Sequence, residues 1–188
     1  MTLTEKSSLS YVALTVGTAL TRSGIRAVLT GGACVSLYTR GAYHSKDVDF
    51  VLSGAVTRDA LDAAMRSVGF IRRGDRYEHP HTPYYVEFPR GPLAIGRDVD
   101  IRPVVFRRSR LQTLALSGTD CCRDRLAAFY HWSDRQSLRA AVLVAVSRRT
   151  KTRTLEEWSR HEGAAAGFAE FQRELRRARQ RRARRSVE

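Results

Sequence analysis

From Leu9 to Leu20 apolar residues recur at helical spacing (Leu9, Val12, Ala13, Val16, Leu20), and Thr21 to Gly24 then supplies turn chemistry, so the chain opens with a helix. Arg26 to Thr30 changes to a short β-rich run that stops at Gly31-Gly32, and Ala33 to Tyr38 is apolar enough for a buried helix. Asp47 to Leu52 alternates acidic and apolar positions before turning continuously apolar, the pattern of a strand with one wet end. Thr57 caps a helix that runs to Gly69. Pro83 to Phe88 reads as a strand, ended by the proline and glycine cluster Pro89 to Pro92, and Val99 to Phe106 as a further strand. Arg110 to Leu116 fits a strand or the approach to a helix, and its pattern does not decide between them.

From Thr119 onward the period is helical. Thr119 or Asp120 caps a helix with Leu126, Phe129 and Tyr130 on one face, and Ser133 or Asp134 starts a second that reaches Val146. Arg148 to Arg153 is a basic connector, and Leu155 to Arg184 forms one or two more helices around Gly163. No internal repeat is present. This order predicts an α/β fold, a mixed sheet flanked by helices over residues 1–116, then a helical region over 117–170 and a basic helical or disordered tail over 171–188.

The 188 residues suffice for a sizeable core, and 43% of them are hydrophobic. No signal-peptide pattern opens the chain and no stretch approaches the ~20 apolar residues of a membrane span, so a cytoplasmic protein without membrane contact is expected. Cys34, Cys121 and Cys122 are odd in number and lack C-x-x-C spacing, which predicts reduced, packed thiols. The net charge of +14 is carried almost wholly by arginine, whose planar donor fork suits phosphate. A polyanionic partner such as nucleic acid follows, set against an arginine-rich proteome as the plainer explanation. Residues 171–188 alone hold eight Arg against two Glu.

The candidate chemistry starts at Asp47 and Asp49. Two residues apart on a strand, they point to one face roughly 6.5–7 Å apart, while Val48 and Phe50 face the core and fix the register. Such a pair repels itself and makes a seat for Mg²⁺ or Mn²⁺, which keeps other positions for water and substrate phosphates. Surface strands often carry alternating acids, so the pair gains weight from its neighbours. Gly31-Gly32, between strand and helix, lets backbone N–H groups approach a triphosphate, or is a plain tight turn. Glu87, the one acid of the Pro83–Phe88 strand, must be paired, protonated or metal-bound. Lys46 is within reach of a phosphate or is simply exposed, and Arg40 is a candidate phosphate contact. His79 and His81 lack a third metal ligand, and Tyr130 and Trp132, beside arginines, could stack on a base, although their spacing with Leu126 favours packing in the core.

Gly-Gly, then D-x-D about fifteen residues later, then a lone acid on a later strand resembles the nucleotidyltransferase superfamily in order and spacing. Within it, LTGGACVSLYTRGAYHSKDVDFVL, YYVEFPRGPLAIG and TDCCRDRLAAFYHWSDRQSL resemble the small bacterial AbiEii/MenT-like, toxin-type enzymes, across most of residues 29–138. The resemblance implies a minimal nucleotidyltransferase (polymerase beta-like) core followed by helices. It implies Asp47, Asp49 and Glu87 as catalytic metal ligands, and Gly31 and Gly32 as the cradle of an NTP. It implies transfer of an NMP to an acceptor hydroxyl at the 3′ end of tRNA, growth arrest as the outcome, and a cognate antitoxin that phosphorylates a hydroxyl residue at the place of Ser45. The superfamily's turn is usually Gly-Ser, and here Gly32 replaces the serine, with Ser36 one helical turn away. The relatives' triphosphate-contacting lysine is matched by Arg123, and the acid of their K-D pair by Asp134, which also suits a helix N-cap.

Two other readings stand beside this one: the same transfer onto a small-molecule or protein hydroxyl, and a nucleic-acid-binding module with a decayed transferase core. Basic surroundings disfavour a small cationic acceptor, and intact Asp47, Asp49 and Glu87 disfavour decay. In the tail, a helix with arginine around most of its circumference cannot bury much. It is expected to project and to offer Arg176, Arg177, Arg181 and Arg182 to RNA phosphates, or else to be a solvated end.

Overall fold

The computed structural model describes residues 2–148 and 150–185, with no side chain described at Arg185. Helix α1 (Leu9–Arg22) starts where the Ser8 hydroxyl accepts from the Tyr11 N–H, and it buries Val12, Ala13 and Val16 completely. Strands β1 (Ala27–Leu29) and β2 (Asp47–Leu52) flank α2 (Gly31–Thr39), and α3 (Arg58–Arg66) follows, capped by Thr57 as its sequence predicts. Strands β3 (Ile71–Arg73), β4 (Arg76–Glu78), β5 (Tyr85–Glu87), β6 (Val104–Arg108) and β7 (Leu111–Ala115) complete one sheet in the order β3-β4-β5-β2-β1-β7-β6.

The centre of the sheet is mixed: β2 runs antiparallel to β1 and parallel to β5, while β1 runs parallel to β7. Two parts of it are invisible to hydrophobic periodicity. The β3–β4 hairpin has three-residue strands rich in arginine, joined through Gly74 in the left-handed region (φ +61°). The ambiguous segment 110–116 is a strand because Leu111, Thr113 and Ala115 turn inward against α1. There Gly17 permits the close approach: a Cβ on it would lie 2.2 Å from Thr113 Oγ1.

The helical half is continuous with the first core. Every residue of α2 is buried, between the sheet on one side and α4 (Gly118–Trp132) and α5 (Arg135–Ser147) on the other. The three cysteines are free and buried in this region. Helix α6 (Thr152–His161) leads to α7 (Ala165–Arg185), a single helix that crosses the expected 170/171 boundary.

Helix α7 does not project. Phe168, Phe171 and Leu175 are buried in the common core, and α7 packs on α5, α6 and α4. Arg182 Nη1 donates to the Val146 carbonyl at 2.6 Å. Its few apolar residues share one stripe, wide enough to dock because α5 and α6 complete the groove. Residues 186–188 of the expected tail lie outside the described residues. Among the described residues, no helix is long and apolar enough to cross a membrane.

Candidate active site

Strand β2 presents Asp47 and Asp49 on one face while Val48 and Phe50 are fully buried on the other. In the parallel pairing of β2 with β5, Asp49 lies opposite Glu87, so a third carboxylate sits on the same side of the sheet. Burial, then the charge of Asp47, then that of Glu87, push the Asp49 carboxyl up to about 7. Glu87 has no salt bridge among the described residues; Arg76, opposite it on β4, pairs with Glu78 at 2.5 Å instead.

Gly31 and Gly32 form the first turn of α2, where backbone N–H groups have no intrahelical partner. Gly31 adopts φ +62°, and a Cβ there would stand 2.3 Å from Asp49 Oδ2, so backbone conformation and space both require glycine. A Cβ on Gly32 would lie 2.7 Å from Ser45 Oγ. A side chain at position 32 would therefore collide with Ser45, which donates to Asp47 Oδ1.

A cleft of about 460 Å³ opens in front of Gly32, Asp47 and Asp49, and Glu87 does not line it. One side carries Tyr43, Ser45, Lys46, Asp47 and Asp49; the other carries Arg125 of α4 and the start of α5 at Asp134, Gln136 and Ser137. Asp134 faces the cleft and caps α5, accepting from the Gln136 N–H at 2.8 Å and the Ser137 hydroxyl at 2.6 Å. Arg125 is fixed by Asp124, whose Oδ2 accepts from Nη2 at 2.7 Å and Nε at 3.0 Å.

Three expected nucleotide contacts are elsewhere. Arg123 is buried, donates to Asp98 at 2.5 Å and Asp120 at 2.9 Å, and lies over the Trp158 ring. Two residues turn a helix by about 200°, which carries Arg125 to the cleft and Arg123 away from it. Ser36 is buried with its hydroxyl 3.1 Å from that of Ser10. Arg40 is exposed at the end of α2 remote from the glycines. The exposed Arg176, Arg177 and Arg181, with Arg182, are on α7 and do not line the cleft. Sequence reasoning missed Arg125, Tyr43 and Gln136, for which only proximity to assigned positions offered a signal. It also placed two aromatic residues alike that differ: Tyr130 stacks on Trp158 and bonds to Ser159, whereas Trp132 is 77% exposed.

Among the described residues, no three His, Cys, Asp or Glu side chains converge into a metal cage. The donor set still suits Mg²⁺ or Mn²⁺, hard ions that take one or two carboxylates and complete their shell with water and phosphate oxygen. A half-buried, mutually repelling pair such as Asp47 and Asp49 is the environment a divalent cation relieves.

No family model matches the sequence, and no curated protein matches it. Among solved structures, the chain is similar to an antigenic nucleotidyltransferase-like protein from Paracoccidioides brasiliensis. The match has a TM-score of 0.58 and 16% sequence identity, and covers 75% of this chain and 77% of the other. The chain has a nucleotidyltransferase-like fold.

Proposed function

We propose that this protein is a Mg²⁺- or Mn²⁺-dependent nucleotidyltransferase that moves an NMP from an NTP to an acceptor hydroxyl, with the 3′ end of tRNA as acceptor. The observation that carries the proposal is the pair Asp47 and Asp49, held by buried Val48 and Phe50 against a helix start whose glycines admit Asp49 and Ser45 at close range. The site rather than the fold supports this activity, because one fold hosts many activities.

The acceptor oxygen forms a bond to the α-phosphorus, the bond from that phosphorus to the bridging oxygen breaks, pyrophosphate leaves and the hydroxyl proton passes to solvent. Asp47 and Asp49 would hold the metal, with Glu87 adding negative charge beside Asp49; when bound, it supplies charge neutralisation on the phosphates and a more acidic acceptor hydroxyl. The N–H groups of α2's first turn, Lys46 and Arg125 supply positive potential to the triphosphate. Arg125 is held in place by Asp124 before substrate arrives, which lowers the cost of ordering it.

The net charge of +14 supports RNA over a small cationic acceptor. The proposal includes growth inhibition as the outcome and control by a cognate antitoxin acting on Ser45. Ser45 Oγ lines the cleft and touches Asp47, so a phosphoryl group of about −1.5 to −2 charges there would oppose the triphosphate.

The test is incubation with each α-labelled NTP and total cellular RNA, with Mg²⁺ or EDTA. Label is expected in a tRNA-sized band, dependent on Mg²⁺ and lost in Asp47→Ala and Asp49→Ala. Unchanged labelling in either variant overturns the mechanism, and label in protein or small molecules alone overturns the acceptor.

A further inference from the structure

A second cavity of about 380 Å³ adjoins the first, with Arg125 lining both. Its floor is the α4 stripe Arg125, Ala128 and Trp132, at spacing i, i+3, i+7, about 10 Å long at 1.5 Å per residue. Ala127 and Ala128 keep that floor free of protruding side chains between the guanidinium and the indole.

The wall is the segment 94–97, anchored at two points. Glu162 Oε1 accepts from the Arg97 N–H at 2.9 Å, and the close approach requires Gly96, where a Cβ would lie 2.5 Å from Glu162 Cδ. On its far side Asp98 is bound by buried Arg123. The buried arginine set apart from the first cleft is thus a positioning residue for the wall of the second. Arg97 stands exposed on that wall. Trp132, 77% exposed, closes the helix where Ser133 adopts the left-handed C-cap conformation (φ 53°).

We propose that this second cavity is the acceptor subsite, in which a base near the 3′ end of a single-stranded RNA stacks on Trp132 while its backbone passes Arg97 and Arg125 toward the metal-facing acids. An exposed indole beside cations is the combination that binds single strands with little base preference: the ring face accepts any base and arginine meets the phosphate. Sharing of Arg125 gives donor triphosphate and acceptor strand one common electrostatic contact. The inference rests on the nucleotidyltransferase reading for its direction, but its binding step can be measured without turnover.

The test measures affinity for a short fluorescent single-stranded RNA, without NTP, for the full chain, Trp132→Ala and Trp132→Phe, alongside Mg²⁺-dependent NTP turnover. Trp132→Ala is expected to weaken RNA binding roughly ten-fold, the scale of one stacked base, while Trp132→Phe keeps most of it. The KM for NTP should stay within about two-fold and the KM for RNA should rise with the Kd. Equal affinity of wild type and Trp132→Ala overturns the subsite even if NTP is consumed normally. An equal loss in both variants overturns stacking as the cause. Tight, Trp132-dependent RNA binding without any NTP consumption would sustain the subsite and sink the enzyme reading instead.

Discussion

Replacing Asp49 by Asn is expected to stabilise the metal-free protein while ending its chemistry. Burial and the charges of Asp47 and Glu87 push this carboxyl from 3.8 up to about 7. That is about 3 pH units, or roughly 4 kcal/mol at ~1.36 kcal/mol each, as a ceiling on the cost of keeping it ionised. Partial wetting and local relaxation discount it to ~1–3 kcal/mol. The folded chain therefore holds a proton between about pH 4 and 7 that the unfolded chain has lost, so stability falls as pH rises through that window and stays low above it. Asparagine has no charge to desolvate and does not follow this slope. Thermal unfolding in excess EDTA at pH 8 should show Asp49→Asn melting about 3–10 °C above wild type, at ~2–4 °C per kcal/mol, with the gap narrowing toward pH 4. Mg²⁺ added at pH 8 should raise the wild-type midpoint and leave the variant nearly unmoved. A variant that melts at or below wild type at pH 8, or with the same gap at both pH values, refutes the reasoning.

Gly31→Ala should lower activity sharply and stability by about 1–2 kcal/mol, because a left-handed alanine is strained and its Cβ displaces Asp49 Oδ2; wild-type turnover in this variant would show that the close approach is unimportant. Arg123→Met leaves Asp98 and Asp120 without their buried partner and should cost roughly 3 kcal/mol by denaturant titration, with NTP affinity per folded molecule unchanged. Ser45→Asp should depress NTP turnover while Ser45→Ala keeps it, and equal rates would exclude control at this position. Truncating α7 would strip Phe171 and Leu175 from the core, so the basic surface is better tested by Arg176→Gln/Arg177→Gln/Arg181→Gln. The salt dependence of RNA binding should become shallower by about 0.7 for each phosphate left unneutralised, and an unchanged slope assigns these arginines to solvent.

The parts of the site legible in the sequence are those whose geometry is set by immediate neighbours. Asp47 and Asp49 face together because strand side chains alternate, and Val48 and Phe50 are apolar enough to decide which face is wet. Gly31-Gly32 marks the turn for the same local reason, although what makes glycine necessary there is Asp49 and Ser45, brought up by β2 and the segment before it. Helix faces were not legible in this way. Arg123 and Arg125 are two positions apart and equally basic, and only the packing of α4 on α5 and α6 turns one toward Asp98 and the other toward the cleft. Tyr130 and Trp132 part company likewise, one against Trp158 and one into solvent. The β3–β4 strands escaped periodicity because they are three residues long and rich in arginine, and the docking of α7 because α5, its main partner, is distant in the chain. Sequence by itself determined which carboxylates share a face and on which strand; tertiary structure decided which arginine turns toward their cleft and which aromatic ring stays exposed, since a helical position acquires its inside and outside only from what packs against it.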